Sequence, residues 1–205
     1  MMSISDKIKS NPKLKKLVQW MLVSSYKPRL WVRIFINPFK HTRGKSSVVR
    51  WKTRLDLFPF HKFELGENSL VEDFSVINNG VGDVHIGSDT IVGISNIIIG
   101  PVEIGNNVML AQHIVISGLN HGYSDPVIPP SRQPVVTAKI VIEDDVWIGA
   151  NSVVTAGVRI GKHSIVGGGS VVAKDIPEYC VVVGNPARII KRFNFETATW
   201  DKIDK

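Results

Sequence analysis

Large aliphatic residues return every sixth position along most of this chain. They stand at Leu65, Val71 and Ile77, then at Ile86, Val92, Ile98, Ile104, Leu110 and Ile116, and again at Ile142, Ile148, Val154, Ile160, Val166 and Val172. A period of six does not fit the 3.6-residue period of an amphipathic helix. Glycine often follows the aliphatic residue, as at Gly66, Gly87, Gly93, Gly105, Gly149, Gly161 and Gly167, and each would cost a helix interior roughly 1 kcal/mol. Short strands joined by turns remain. If each hexad forms one flat side of a triangular coil, three hexads complete a turn of about 18 residues, and the aliphatic side chains stack inward as one ladder.

The ladder is interrupted twice. Its phase shifts by three between Ile77 and Ile86, and a longer gap separates Ile116 from Ile142. Insertions in a solenoid become loops. The second, residues 117–139, carries Pro126, Pro129, Pro130 and Pro134, which suits an extended excursion rather than a buried coil. Long loops in compact domains are often functional.

Three segments follow. Residues 51–177 read as the repeat with its inserted loop 117–139. Residues 1–50 lie outside it and hold a basic amphipathic stretch around Lys13 to Trp20, then a Trp- and Phe-rich portion to Phe39. Helix followed by irregular chain is expected there. Two roles stay open for this segment: a cap over the open end of the core, or peripheral contact with an anionic membrane. Residues 178–205 are expected to hold an exit strand and a helix beginning near Pro186.

With 205 residues and 43% hydrophobic content, the chain suits one compact domain with short appendages. The net charge of +7 is compatible with nucleic acid, an anionic membrane or a phosphorylated small ligand. No nucleic-acid-binding module is legible, so no nucleic-acid partner is expected. Cys180 is the only cysteine, which excludes an internal disulfide and fits a reducing cytoplasm. Between Leu17 and Ile36 the apolar run is broken by Lys27, Pro28, Arg29 and Arg33, short of the roughly 20 residues needed to span a bilayer.

The stretch NHGYSDPVIPP from Asn120, followed by IVIEDDVWIGANSVVTAGVRIGKHSIVGGGSVVAKDIPEYCVVVGNPARIIKRF from Ile140 to Phe193, resembles the hexapeptide-repeat O-acetyltransferases. Those acting on maltose and galactosides, on capsular polysaccharides and on xenobiotics are all similar, over residues 65 to 193. A hexad ladder alone would indicate only the fold. An Asn-His loop, a DVWIG coil and a VVAKDIP to GNPA exit together are far more specific. The resemblance implies an all-β, left-handed parallel β-helix with a helical or irregular N-terminal cap, its handedness coming from the family alone. It also implies a homotrimer with active sites at subunit boundaries, and acetyl transfer from acetyl-coenzyme A to a sugar or polysaccharide-precursor hydroxyl.

Such a transfer needs a base, because a sugar hydroxyl is almost entirely protonated near pH 7. Histidine has a suitable pKa, and the residue matching the family's base is His121. Asn96 matches an asparagine that orients the acceptor or the reacting carbonyl. Asp125 orients His121 or binds a sugar hydroxyl, or else, standing before Pro126, opens a turn. Coenzyme A requires a narrow groove for its pantetheine amides, an apolar surface, and cations for its phosphates. By resemblance these are Ala150 and Gly168 for the amides, Trp147 beside the groove, and Lys174, Arg188 and Lys191 for the phosphates. No metal is expected.

The alternatives are a xenobiotic O-acetyltransferase and a non-catalytic β-helix scaffold. A γ-class carbonic anhydrase would need three zinc-binding histidines. His85, His113 and His121 are present, but the closely spaced His pair followed by Gly is not.

Overall fold

The computed structural model describes residues 10–24 and 27–203. Its body is a parallel β-helix of triangular section, with three sheets as its faces. Face 1 stacks Thr42–Arg43, Phe63–Leu65, Val84–Ile86, Val102–Ile104, Ile140–Ile142 and Arg159–Ile160. Face 2 stacks Val48–Val49, Leu70–Val71, Ile91–Val92, Met109–Leu110, Trp147–Ile148, Ile165–Val166 and Cys180–Val183. Face 3 stacks Arg54–Asp56, Val76–Asn78, Ile97–Ile99, Val115–Ser117, Val153–Val154 and Val171–Val172. Parallel pairing therefore begins at Thr42, ahead of residue 51.

All fifteen residues of the aliphatic ladder point inward, at no more than 2% exposure. Regular coils repeat every 18 residues, as where Ile91 lies over Met109 and Trp147 over Ile165. The first coil takes 22 and the next 21, and the extra residues sit at the edge between faces 3 and 1. That is the edge from which the 117–139 insertion also leaves.

A second ladder runs two residues before the first. Ser69, Ser75, Thr90, Asn96, Ser152, Ser164 and Ser170 occupy it, all fully buried. Their side chains turn back onto carbonyls at the corners: Ser75 Oγ donates to Gly93 O at 3.0 Å, and Ser170 Oγ to Gly167 O at 2.5 Å. A triangular coil leaves such carbonyls without sheet partners, and an unpaired buried carbonyl is costly. Corner glycines answer the other constraint, close coil approach. A Cβ on Gly149 would lie 2.5 Å from Gly168 N.

The outward rows differ from face to face. Face 1 presents Glu64, His85, Glu103, Val141 and Arg159 in register. Face 2 presents Val48, Leu70, Ile91, Met109, Trp147, Ile165 and Val181. Face 3 presents Val76, Ile97, Val115, Val153 and Val171 above Arg54. One face is charged and two are apolar.

At the N-terminal end, helix α1 (Pro12–Leu22) starts on an Asn11 cap whose side chain accepts from the amides of Lys13 and Leu14. Helix α2 (Leu30–Phe35) follows where irregular chain was expected. It buries Val32 completely, and just beyond it Asn37 Nδ2 donates to Leu57 O at 2.8 Å, fixing this segment beneath the first coil.

The C-terminal helix expected near Pro186 does not form. Arg188–Asn194 and Thr199–Lys202 are strands that extend face 2 antiparallel, with Val181 opposite Lys191 and Phe193 opposite Trp200. Cys180–Val183 offers a free edge, and the β-branched and aromatic residues Ile189, Ile190 and Phe193 suit a pleated surface better than a helix. That edge outweighed the helix-start signal of Pro186.

Candidate active site

The insertion folds into an arm. Leu119–His121 pairs antiparallel with Val135–Thr137, setting His121 opposite Val135. Gly122 N continues the ladder to Pro134 O at 2.9 Å. Between them the chain wraps around Gln133, which is only 8% exposed. Its Nε2 donates to Asp125 O at 2.8 Å and to Ile128 O at 2.6 Å, while its Oε1 accepts from Asp125 N at 3.2 Å. Composition gave no hint of this residue, since a polar side chain in a Pro-rich loop reads as solvated.

His121 thus sits where the ordered strand of the arm ends, exposed to solvent. Asp125 does not orient it. Asp125 Oδ1 instead accepts from Val127 N at 2.8 Å and Ile128 N at 3.3 Å, closing the turn before Pro126. Among the described residues no side chain is hydrogen-bonded to the His121 imidazole.

The returning foot of the arm borders a cleft of about 480 Å3 on the 3–1 edge and face 1. Polar groups line it: His61, Lys62, Glu64, Asp83, His85, Glu103 and Lys139. Lys139, the returning foot, is ion-paired with Glu103. The hydrogen bond from Lys139 holds the Glu103 carboxyl below its ordinary range. His85 lies mid-strand on face 1, its Nδ1 3.0 Å from Glu64 Oε2.

Asn96 does not reach any site. It is fully buried, its Nδ2 donating to Gly93 O at 2.9 Å and Ala111 O at 2.7 Å while Oδ1 accepts from Ile114 N at 2.6 Å. Every polar atom of the amide is spent on the corner between faces 2 and 3. A signal was available: Asn96 stands two before Ile98, as Ser75 stands before Ile77 and Ser152 before Val154. His113 is a neighbouring corner residue, exposed and in the left-handed region at φ 57°.

The residues assigned to coenzyme A fall into three places. Ala150 and Gly168 stack on the 2–3 edge, with Gly169 N donating to Ala150 O at 2.8 Å. Gly168 is exposed there and Ala150 is half-buried. Arg188 joins this edge one coil higher, because the adjacent Ala187 N donates to Val171 O at 2.8 Å. Trp147 and Lys191 stand on face 2 in one outward row, with Ile165 and Val181 between them. Lys174 is exposed at the far end of the strand Val171–Val172, across face 3 from Gly168.

The arm and the slot at Ala150 and Gly168 therefore occupy different edges of one prism. Cys180 is fully buried, its thiol directed to Glu178 O.

Comparison with known proteins agrees with this architecture. Residues 139–174 match the family model for the bacterial transferase hexapeptide (six repeats). A galactoside O-acetyltransferase of Lactococcus lactis is 32% identical over 155 residues, covering 74% of this chain and 73% of the relative. WbbJ of Escherichia coli, named for O-acetyl transfer in lipopolysaccharide biosynthesis, is 36% identical over 156 residues, or 73% and 70% of the two chains. Among solved structures, the N-acyltransferase AntD of Bacillus cereus, in complex with dTDP and 3-hydroxybutyryl-CoA, superposes with a TM-score of 0.66 at 23% identity, covering 80% of this chain and 90% of AntD. With the hexad ladder, the triangular coil and relatives matched over most of their length, the chain belongs to the hexapeptide-repeat O-acetyltransferases, left-handed β-helical enzymes that transfer acyl groups.

Proposed function

We propose that this acetyltransferase moves the acetyl group of acetyl-coenzyme A onto a hydroxyl of a sugar or polysaccharide precursor, with His121 as general base. The observation that carries the reading is the arm: an exposed imidazole held on a strand that Gln133 ties in place, outside a prism that is otherwise repetitive. The names of the galactoside and lipopolysaccharide relatives support a sugar as acceptor. The cleft at the foot of the arm, rich in carboxylate, imidazole and ammonium groups, suits a ligand made of hydroxyls.

In the proposed reaction His121 takes the proton of the acceptor hydroxyl while that oxygen attacks the thioester carbonyl. The tetrahedral intermediate collapses, the C–S bond breaks, and the thiolate leaves with the proton returned by the imidazolium. The products are an acetyl ester and free coenzyme A. The burial of Cys180 favours direct transfer over a thioester on the enzyme.

A homotrimer completes the site in this reading. Two apolar faces need cover, and a second copy laid against them brings its arm, on the 3–1 edge, to the slot on the 2–3 edge of the first. Exposed Tyr123, Val127 and Val136 on the arm give it an apolar surface for that contact. Coenzyme A would lie along Ala150 and Gly168, with Arg188 above them and Trp147, Lys174 and Lys191 flanking.

Turnover of His121→Ala against galactosides and lipid-linked glycans tests the base. The expected loss is roughly 10²- to 10⁴-fold with coenzyme A affinity nearly unchanged. Near-normal turnover overturns the assignment, and labelled acetyl retained on denatured enzyme without acceptor overturns direct transfer. Charge reversal at Lys174 and Arg188 is expected to weaken coenzyme A more than dephospho-coenzyme A. Equal weakening removes those cations from the 3′-phosphate.

A further inference from the structure

The charge of the chain is divided very unevenly. Its first 54 residues contain fourteen Lys and Arg against a single acidic residue, Asp6, while the remaining 151 contain eleven against seventeen Asp and Glu. A net charge of +7 therefore conceals a strongly basic end on an acidic prism. In the fold the described residues of this segment, 10–24 and 27–54, form α1, α2 and the first coil, so the basic end is also a physical end of the β-helix. Lys13, Lys16, Lys27, Arg33, Lys40 and Arg43 are all exposed. Among the described residues, the only carboxylate paired with a cation of this segment is Asp56, held by Arg54 at 2.7 Å.

The same end exposes large apolar side chains. Helix α2 buries Val32 alone, leaving Leu30 67%, Ile34 54% and Phe35 69% exposed, and Trp20 on α1 is 68% exposed. On α1, Leu14, Leu17, Val18 and Met21 recur at i, i+3, i+4 and i+7, with Lys13 and Lys16 beside them. Basic amphipathic helices carrying Trp and Phe lie in the plane of a bilayer interface: the apolar side enters the headgroup boundary and the cations meet anionic lipid. A second copy of this end would bring like charges together. Nucleic acid would satisfy the cations and leave the aliphatic and aromatic groups in water. No described helix is long and apolar enough to cross the membrane.

We propose that the N-terminal end of the β-helix, through α1, α2 and the first coil, is a peripheral docking surface for an anionic lipid bilayer. This proposal is independent of the acceptor and of His121, because docking requires only that end. It would set the prism upright on the membrane with its C-terminal hairpin farthest from the lipid.

The intact protein is floated with phosphatidylcholine vesicles, with and without about 30% phosphatidylglycerol, at about 0.1 M salt. Retention on the anionic vesicles alone, weakening as salt rises, is expected. Combined Lys13→Glu, Lys16→Glu and Arg33→Glu changes should reduce partitioning by more than a hundredfold, at about fivefold per cation removed before counting the added carboxylates. The pair Leu30→Ser and Phe35→Ser, which keeps every charge, should also reduce it. Lys162→Glu, on the upper coils, should not. Unchanged acetylation of a soluble acceptor by each variant checks that the fold survives. Three outcomes would overturn the proposal: no preference for anionic over zwitterionic vesicles, self-association through this end without vesicle binding, or binding to duplex DNA as tight as to vesicles together with vesicle binding indifferent to the apolar pair.

Discussion

The prism and its arm are built on opposite terms. In the prism most coils repeat the one below: an aliphatic residue points inward on each face, buried Ser, Thr or Asn close corners in all but the Val102–Ile116 coil, and each strand between the end coils pairs on both sides. The arm has one pair of three-residue strands, largely exposed apolar residues, and two side chains, Gln133 and Asp125, to hold its turn. In a solenoid, stability is shared among nearest-neighbour contacts, so local damage in a coil weakens the whole stack. Damage in the arm should alter only what the arm carries. In the proposed reaction, separating the two would let His121 act from outside the repeating stack.

Substitutions can break or sharpen that contrast. The largest effect on stability should come from the ladder: Ile116→Ala, at a fully buried site below the arm, should cost about 2–5 kcal/mol, measured by denaturant unfolding. A cost below 1 kcal/mol would mean that the stack closes over the cavity. Next comes the corner. Asn96→Ala leaves the Ala111 carbonyl and the Ile114 amide without partners and the Gly93 carbonyl with Ser75 Oγ alone, for a loss of about 1–3 kcal/mol with turnover per folded molecule unchanged. If turnover collapsed while the unfolding midpoint stayed put, Asn96 would be returned to the chemistry.

Gln133→Ala should show the reverse pattern. The loosened arm would lower kcat by about 10- to 100-fold, the size expected when a catalytic group is misplaced by an ångström, while global unfolding moves little. A large fall in the midpoint with normal kcat would place the arm inside the folding unit.

The smallest effect concerns the foot of the arm. Lys139 depresses the Glu103 carboxyl from its ordinary value of 4.5, so the pair stabilises the fold above that value and loses its contribution as pH falls through the lower folded one. Both side chains are about half exposed, which limits the contribution to under about 1 kcal/mol. Lys139→Gln should therefore differ slightly from the parent at neutral pH and not at all in strong acid. A difference that grew with acidity would contradict the pairing.

His41 offers an independent check on the N-terminal end. Among the described residues neither of its buried ring nitrogens has a hydrogen-bond partner, and burial lowers its pKa. Folding then favours the neutral ring, and stability should fall as pH drops below the ordinary histidine value of 6.5. His41→Phe should flatten that slope.

Much of this molecule was legible without coordinates. All fifteen residues named by the hexad ladder point inward, because a side chain buried on every coil must be aliphatic wherever the stack repeats; the ladder did not name the second inward row, which includes Phe63, Val84, Val108 and Ile114. The interruption between Ile116 and Ile142 marked the arm, because prolines and polar residues cannot continue that ladder. Hydrogen bonding between segments distant in sequence decided the rest. Asn96 carries the same amide whether it faces a substrate or a corner, and only the carbonyls of Gly93 and Ala111 assign it to the corner. Pro186 would begin a helix in isolation, yet the open edge of Cys180–Val183 drew Arg188–Asn194 into a strand. Gln133 has no local signature, since its partners at Asp125 and Ile128 come together only when the arm folds back. Residue type and spacing fix what must be buried; which polar group meets which partner is fixed only when the chain returns on itself, because hydrogen bonds depend on direction and burial on little more than area.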